Sequence, residues 1–217
     1  MIINRKSVSS ALRRVFSSTP AVALAVGLWL AALGTGFSFL WAYKSTPGQV
    51  SAQHPVEWPR GSSLVRDSAR HTLVMFAHPR CPCTQASVSE LARLMTELHG
   101  RLAAYVVVVK LQGLDEGWEL ASLGQRASVI PGVTVVRDLE GQEAARFGAL
   151  TSGLALVYDS GGALEFAGGI TSSRGHEGDS FGKRRIVSLV TTGTADRRQS
   201  PVFGCALGHA GPAVVSQ

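Results

Sequence analysis

Hydrophobic positions along this chain form one long uninterrupted block followed by several short ones. From Ala21 to Tyr43 no charged residue breaks the run, and at about 1.5 Å per helical residue it suffices for a hydrocarbon core of ~30 Å. The block predicts a transmembrane helix over residues 21–43. Residues 44–68 then carry three prolines, small polar residues and no sustained period, the composition of a tether that is partly ordered at most. His71–His78 is a short apolar run with no helical period and ends at Pro79, which suits a buried strand. Ser87-Val88-Ser89-Glu90 reads as a capping box, and Val88, Leu91, Leu94, Met95 and Leu98 recur at three- and four-residue steps. An amphipathic helix closing near Gly100 is expected there, and Leu102–Val109 supplies a second buried strand to complete a βαβ unit.

Downstream, Glu116–Ala127 has a helical pattern weakened by Gly117 and Gly124. Val133–Val136 is expected as a short strand, Asp138-Leu139-Glu140-Gly141 as a turn, and Glu143–Phe147 as about one turn of helix. Leu154–Tyr158 and Ala163–Ala167 flank Asp159-Ser160-Gly161-Gly162, a hairpin signal. A glycine-rich loop, residues 168–182, leads to a last amphipathic helix around Lys183–Val190 and a Gly/Pro/Ala-rich tail. The expected organisation is a basic N-terminus (1–20), a transmembrane helix (21–43), a linker (44–68), an α/β domain (69–192) and a tail carrying Cys205 (193–217).

Charge changes the picture only at the membrane. The formal net charge is +6, but Arg5, Lys6, Arg13, Arg14 and Lys44 account for five positive charges around the apolar run, leaving about +1 elsewhere. The basic balance therefore reflects membrane flanks, and no nucleic-acid partner is expected. Basic residues ahead of the helix predict a single-pass protein of the inner (cytoplasmic) membrane, its N-terminus cytoplasmic and its domain periplasmic or otherwise extracytoplasmic. A cleaved signal peptide is the competing reading, since Val50-Ser51-Ala52 has the small residues of a cleavage site. The globular part is exported on either reading.

In an oxidising compartment a disulfide persists, and the chain has three cysteines, Cys81, Cys83 and Cys205. An odd count with two in a C-x-C is a redox pair or metal site plus one thiol, not a framework of paired bridges. Cys81-Pro82-Cys83 falls between the first strand and its helix, where free N–H groups and the helix dipole lower a thiol's pKa. Arg80 and His78 are expected to add positive charge in the same direction. Residues two apart on a helix diverge, so the pair closes only through a non-helical turn, and Pro82 favours one by disfavouring the α region at Cys81. A bridge across one residue would be strained and easily reduced.

The order βαβ, connecting segment, β-hairpin and last helix, with cysteines after the first strand, resembles the thioredoxin fold over about Thr72 to Leu189. The stretch from Val133 to Gly169 is similar to the peroxiredoxin-like and TlpA-like branch. A narrower resemblance is to exported proteins labelled RedB, carried by His78-Pro79-Arg80-Cys81-Pro82-Cys83 and Val202-Phe203-Gly204-Cys205. The resemblance implies a central mixed sheet flanked by helices and a thiol–disulfide chemistry acting on protein thiols or disulfides. Two departures stand out: thioredoxins use Cys-x-x-Cys, and where that family has a cis-proline before the first hairpin strand this chain has Thr151-Ser152-Gly153. The implied topology brings residues 168–171 near Cys81 and lets Ser172–Asp179 overhang it. Arg174 could then bind an anion or thiolate and His176 relay a proton, with Glu177 or Asp179 orienting it.

The site set is therefore Cys81, Cys83 and Cys205 as thiols, with His78, Arg80, Pro82, Ser152, Arg174 and His176 in support. The leading expectation is a thiol–disulfide oxidoreductase without cofactor. The alternatives are a copper(I) or zinc module using Cys81, Cys83, Cys205 and His176, because soft thiolates favour those ions, and a non-enzymatic interaction protein.

Overall fold

The computed structural model describes residues 19–49, 51, 53–110, 123–194 and 198–208. Two units are compact in themselves, residues 1–44 and 45–217. The described part of the first is essentially helix α1 (Thr19–Ser45), long and apolar enough to cross a membrane, with none of its most hydrophobic window buried.

The second unit is built on a five-stranded mixed sheet of β1 (His71–Ala77), β2 (Leu102–Lys110), β3 (Val133–Leu139), β4 (Leu154–Tyr158) and β5 (Leu164–Gly169). The spatial order is β3-β2-β1-β4-β5, with β1, β2 and β3 parallel and β4 antiparallel to both β1 and β5. Helices α2 (Pro82–Glu97), α3 (Gln125–Ser128), α4 (Gln142–Arg146) and α5 (Phe181–Thr192) complete the described elements.

Strand β1 explains its own sequence. Its side chains alternate between faces: Leu73, Met75 and Ala77 pack with Leu91, Leu94 and Leu98 near α2 and with Ile186 and Leu189 of α5. Val74 and Phe76 face a second core with Phe147, Leu156 and Tyr158. A strand buried on both sides reads as a continuous apolar run, the pattern that predicted it. Fully burying each such large side chain contributes about 1.5–3 kcal/mol.

Among the described residues no long helix covers the second face. It is roofed by the short α4 and by two segments whose composition suggested looseness. Trp58 packs edge-on against Phe147 and Tyr158 with ring centroids 5.4 and 5.1 Å away. Leu64 is buried in the same cluster, Glu57 bridges to Ala163, and Ser62 and Ser63 bond the Glu143 carboxylate. Much of the expected tether is thus a folded part of the domain, for one or two large apolar side chains suffice to seat a segment too short to show a period. Val202 and Leu207 of the tail enter the same core. Before them, Arg198–Pro201 runs along β5, with Ala167 N–H donating to Arg198 O (2.9 Å) and Ser200 N–H to Ala167 O (3.2 Å).

The remaining differences are local. α2 begins at Pro82, not at the Ser87 capping box, because Cys81 adopts an extended N-cap conformation (φ −87°, ψ 109°) and Pro82 is pre-set for the first helical position. Ser87 is buried inside the helix, and Glu90 turns to ion partners instead of capping. β3 runs on to Leu139, which pairs with Lys110; Asp138 ends buried, its carboxylate accepting from Glu143 N–H and Ala144 N–H to cap α4. α5 starts two residues earlier than expected, on the Ser180 side-chain cap. Most of the expected 116–127 helix lies outside the described residues; its end is the one-turn α3. Val50 and Ala52 of the cleavage-like triplet, and His209, also lie outside them.

Candidate functional site

Strand β1 leaves the sheet at His78, and the chain turns through Pro79-Arg80 into α2. Cys81 is the N-cap, 2% exposed, and Cys83 lies in the first helical turn, 7% exposed. The two cysteines therefore do not both precede the helix; Pro82 starts it between them. No side chain caps this helix, so the N-terminal dipole acts on Cys81.

Opposite lies Thr151-Ser152-Gly153, the entrance to β4, and Ser152 joins three elements there. Its hydroxyl accepts from His78 N–H at 2.7 Å and lies 2.5 Å from the Thr84 hydroxyl of α2. Its backbone N–H donates to Cys205 O at 2.8 Å. With Thr84 donating its hydroxyl proton to the Cys81 sulfur, its oxygen accepts from Ser152 O–H, so the hydrogen bonds run from His78 N–H through Ser152 and Thr84 to Cys81.

The tail closes the site as a strap. Thr151 and Ala206 form an antiparallel bridge, Leu207 N–H donates to Leu150 O (2.9 Å), and Gly48 N–H donates to Val202 O (2.8 Å). Cys205 N–H then lies 3.4 Å from Cys81 Sγ. Gly204 is required by contact: a Cβ there would sit 1.9 Å from Ser152 O. Arg174 reaches over from the loop after β5, donating to Gly204 O at 2.5 Å and hydrogen-bonding the Cys83 thiol.

These contacts separate the three thiols electrostatically. Burial opposes ionisation of Cys81, but hydrogen bonds from Thr84 and Cys205 outweigh it and hold its pKa below the ordinary thiol value. Burial, followed by the neighbouring Cys81 charge, pushes Cys83 up despite Arg174. Cys205 is pushed up to about 12, first by burial and then by its hydrogen bond to Cys81. Cys81 is the most acidic thiol of the cluster, and its two neighbours are shifted toward the protonated form.

Of the supporting residues, Pro82, Ser152 and Arg174 are at the site. His78 is there through its backbone, but its ring does not supply the expected positive charge: burial, then the Arg80 charge, lowers its pKa, and Nδ1 accepts from Arg80 N–H at 3.1 Å. Arg80 itself is exposed. His176 is exposed, and the acids expected to orient it are engaged elsewhere, Glu177 with Arg93 and Asp179 with Arg184. Among the described residues no group of three or more His, Cys, Asp or Glu side chains is arranged to hold a metal ion.

Two residues escaped the sequence reading. Thr84 is an ordinary helical threonine by pattern; its signal was its place three residues after the N-cap, where a first-turn side chain can meet the capping group. Gly204 stood within the quoted Val-Phe-Gly-Cys segment, but its steric role needed the Ser152 backbone in place.

The chain is similar in structure to a hypothetical protein from Sinorhizobium meliloti 1021, with a TM-score of 0.60 and 19% identity, covering 75% of this chain and 99% of that one. It is also similar to an uncharacterized conserved protein from Geobacillus kaustophilus, with a TM-score of 0.57 and 16% identity over 75% of this chain and 96% of the other. A weaker likeness, TM-score 0.40 and 14% identity over 56% and 81% of the two chains, is to a secreted Mycobacterium tuberculosis disulfide oxidoreductase. No protein-family model and no curated protein matches the chain. The fold is thioredoxin-like, preceded by one apolar helix that could span a membrane.

Proposed function

We propose that this chain is a membrane-anchored thiol–disulfide oxidoreductase working through the Cys81-Pro82-Cys83 motif, with Cys81 as the attacking thiolate. The observation that carries it is the contrast within one cluster: Cys81 sits at a helix N-terminus with Cys205 N–H 3.4 Å from its sulfur and donors from Thr84 and Cys205 lowering its pKa, while the pKa values of Cys83 and Cys205 are raised. A thiolate beside neutral thiols is the arrangement that attack on a disulfide followed by resolution requires. The charge pattern supports the reading: basic residues ahead of the apolar helix are what an exported domain carries, and protein disulfides persist beyond the membrane. RedB-type proteins, which the two cysteine segments resemble, are placed in that setting too. The copper or zinc alternative lacks support from His176, which is exposed.

The test is reduction of insulin disulfides by dithiothreitol, followed with the full chain in detergent. Acceleration that is lost in Cys81→Ser, to within about tenfold of the uncatalysed rate, supports the reading. Equal rates for Cys81→Ser and the unaltered chain would overturn it.

A further inference from the structure

We propose that the disulfide formed in the working cycle is Cys81–Cys205, the strap of residues 202–207 delivering the resolving thiol, and that Cys83 stays reduced beside it. This rests on the oxidoreductase reading above and names the pair that closes.

Geometry favours Cys205 over the nearer residue in sequence. Cys81 is an extended N-cap and Cys83 lies in the first helical turn, its thiol also hydrogen-bonded to Cys81, so the two candidates differ in what a bridge asks of the backbone and not in proximity. Closing a bridge across one residue departs from the relaxed Cα spacing of a disulfide and distorts the first turn, where Thr84 N–H donates to Cys81 O at 3.1 Å. Cys205 needs no such rearrangement. Its N–H is already 3.4 Å from Cys81 Sγ and its thiol is hydrogen-bonded to Cys81. The strap is held there by backbone bonds on both sides of Cys205, from Ser152 N–H and Leu207 N–H, and by Arg174 on Gly204 O.

Burial gives the order of events. Cys81 is 2% exposed under the strap, while Cys205 is partly exposed, so a disulfide reaches Cys81 only when the strap lifts. The Cys81 thiolate attacks one sulfur of the substrate disulfide, forming a Cys81 mixed disulfide and releasing the other sulfur as a thiolate, which takes a proton from water. The strap returns; Cys205 loses its proton to water and attacks Cys81 Sγ, the mixed disulfide breaks, and the second substrate sulfur leaves as a thiolate that takes a proton from water. Two electrons have passed from Cys81 and Cys205 to the substrate. An external dithiol restores the pair by attacking the accessible Cys205 sulfur and being oxidised to its own disulfide. Cys81 is then the leaving group, and the more acidic thiol leaves faster.

The full chain in detergent, equilibrated with oxidised and reduced glutathione, acid-quenched and blocked with N-ethylmaleimide, decides the pairing by fragment mass spectrometry. A Cys81–Cys205 bridge with Cys83 blocked as a thiol is expected, and the same bridge in Cys83→Ser. A Cys81–Cys83 or Cys83–Cys205 bridge overturns the inference. Cys205→Ser is expected to lose at least about tenfold in the insulin assay and, in the glutathione mixture, to accumulate glutathione on Cys81. If Cys205→Ser retains full turnover while Cys81→Ser has none, this inference fails and the oxidoreductase reading stands. If Cys81→Ser also retains full turnover, both fail.

Discussion

Cys205 N–H lies 3.4 Å from Cys81 Sγ, although the two residues are 124 positions apart in the sequence. The contact does two things at once: it lowers the pKa of Cys81 and helps shut the Cys81 sulfur away from solvent. Ser152 makes the arrangement rigid, because one residue holds the end of β1, the first turn of α2 and the strap. On the proposed function a substrate competes with the protein's own tail for access to Cys81, and several properties of the chain should follow from how firmly that tail is seated.

Gly204→Ala tests the seating. Its added Cβ would lie 1.9 Å from the Ser152 carbonyl oxygen, a backbone atom that cannot swing aside, and Gly204 is not among the glycines with left-handed backbone, so the effect is steric. Overpacking of this kind costs about 1–3 kcal/mol, which moves the balance between seated and lifted strap by roughly 5–150-fold. N-ethylmaleimide labelling of Cys81 is expected to quicken by about tenfold; an unchanged rate would mean the strap does not gate the thiol.

Thr84→Val removes the hydroxyl that donates to Cys81 while preserving shape. The Cys81 pKa is depressed in the fold, so its linked stabilisation is present above the unfolded thiol value, about 8.5, and disappears as pH falls through the folded pKa. The variant should raise that folded pKa and shrink the linked term. The midpoint of the pH dependence of iodoacetamide labelling at Cys81 is expected to move to higher pH. Cys205 behaves oppositely: its pKa is pushed up to about 12, so its linked contribution holds below the unfolded value and is lost on alkalinisation.

Much of the fold was legible because each element announces itself by its own period. β1 and β2 are unbroken apolar runs since both faces are buried, α2 repeats at helical spacing, and Asp159–Gly162 turns the hairpin through Asp159 N–H to Ala163 O (3.0 Å). The site was half legible: a Cys-Pro-Cys at a strand-to-helix junction needs no tertiary information, and the implied topology placed the loop of Arg174 over it, where Arg174 hydrogen-bonds Cys83. What stayed hidden depends on contacts between distant segments. The seating of Cys205 rests on hydrogen bonds between backbones, which side-chain patterns do not encode, and the roofing segments rest on single residues such as Trp58 and Leu64.

The Trp58 contact predicts that the region expected to be a tether is indispensable. Trp58→Ala removes edge contacts with two rings that also touch each other, Phe147 and Tyr158. Because Trp58 is only partly buried, a loss of about 2–3 kcal/mol is expected, below the usual range for a fully buried tryptophan. Thermal unfolding followed by tryptophan-independent circular dichroism should show a lower midpoint, and a chain truncated to begin at residue 69 should bind hydrophobic dyes through its uncovered core. A truncated chain as stable as the full one would return residues 44–68 to the role of a spacer.

Glu90 carries the last prediction, because it ties the helix of the attacking thiol to the loop that holds the strap. Its carboxylate is fully buried and meets Lys183 Nζ at 3.0 Å, Arg93, and Gly178 N–H at 2.7 Å. Gly178 ends the loop that carries Arg174, whose guanidinium bonds Gly204 O. Removing the Glu90 charge leaves Lys183, 15% exposed, without its buried counter-ion. Breaking such a pair costs about 3–5 kcal/mol when both ions are buried; Arg93 is half exposed and rehydrates cheaply, so about 2–3 kcal/mol is expected for Glu90→Gln. At about 2–4 °C per kcal/mol the melting midpoint should fall by roughly 4–12 °C. Glu90→Met combined with Lys183→Met removes both ions and should recover most of that loss, since an apolar pair of similar volume has no desolvation to repay. The two effects separate at the site: the double variant, stable again but lacking the tie to Gly178, should still label faster at Cys81 than the unaltered chain. Equal labelling in the two would mean that Arg174 holds the strap without help from Glu90.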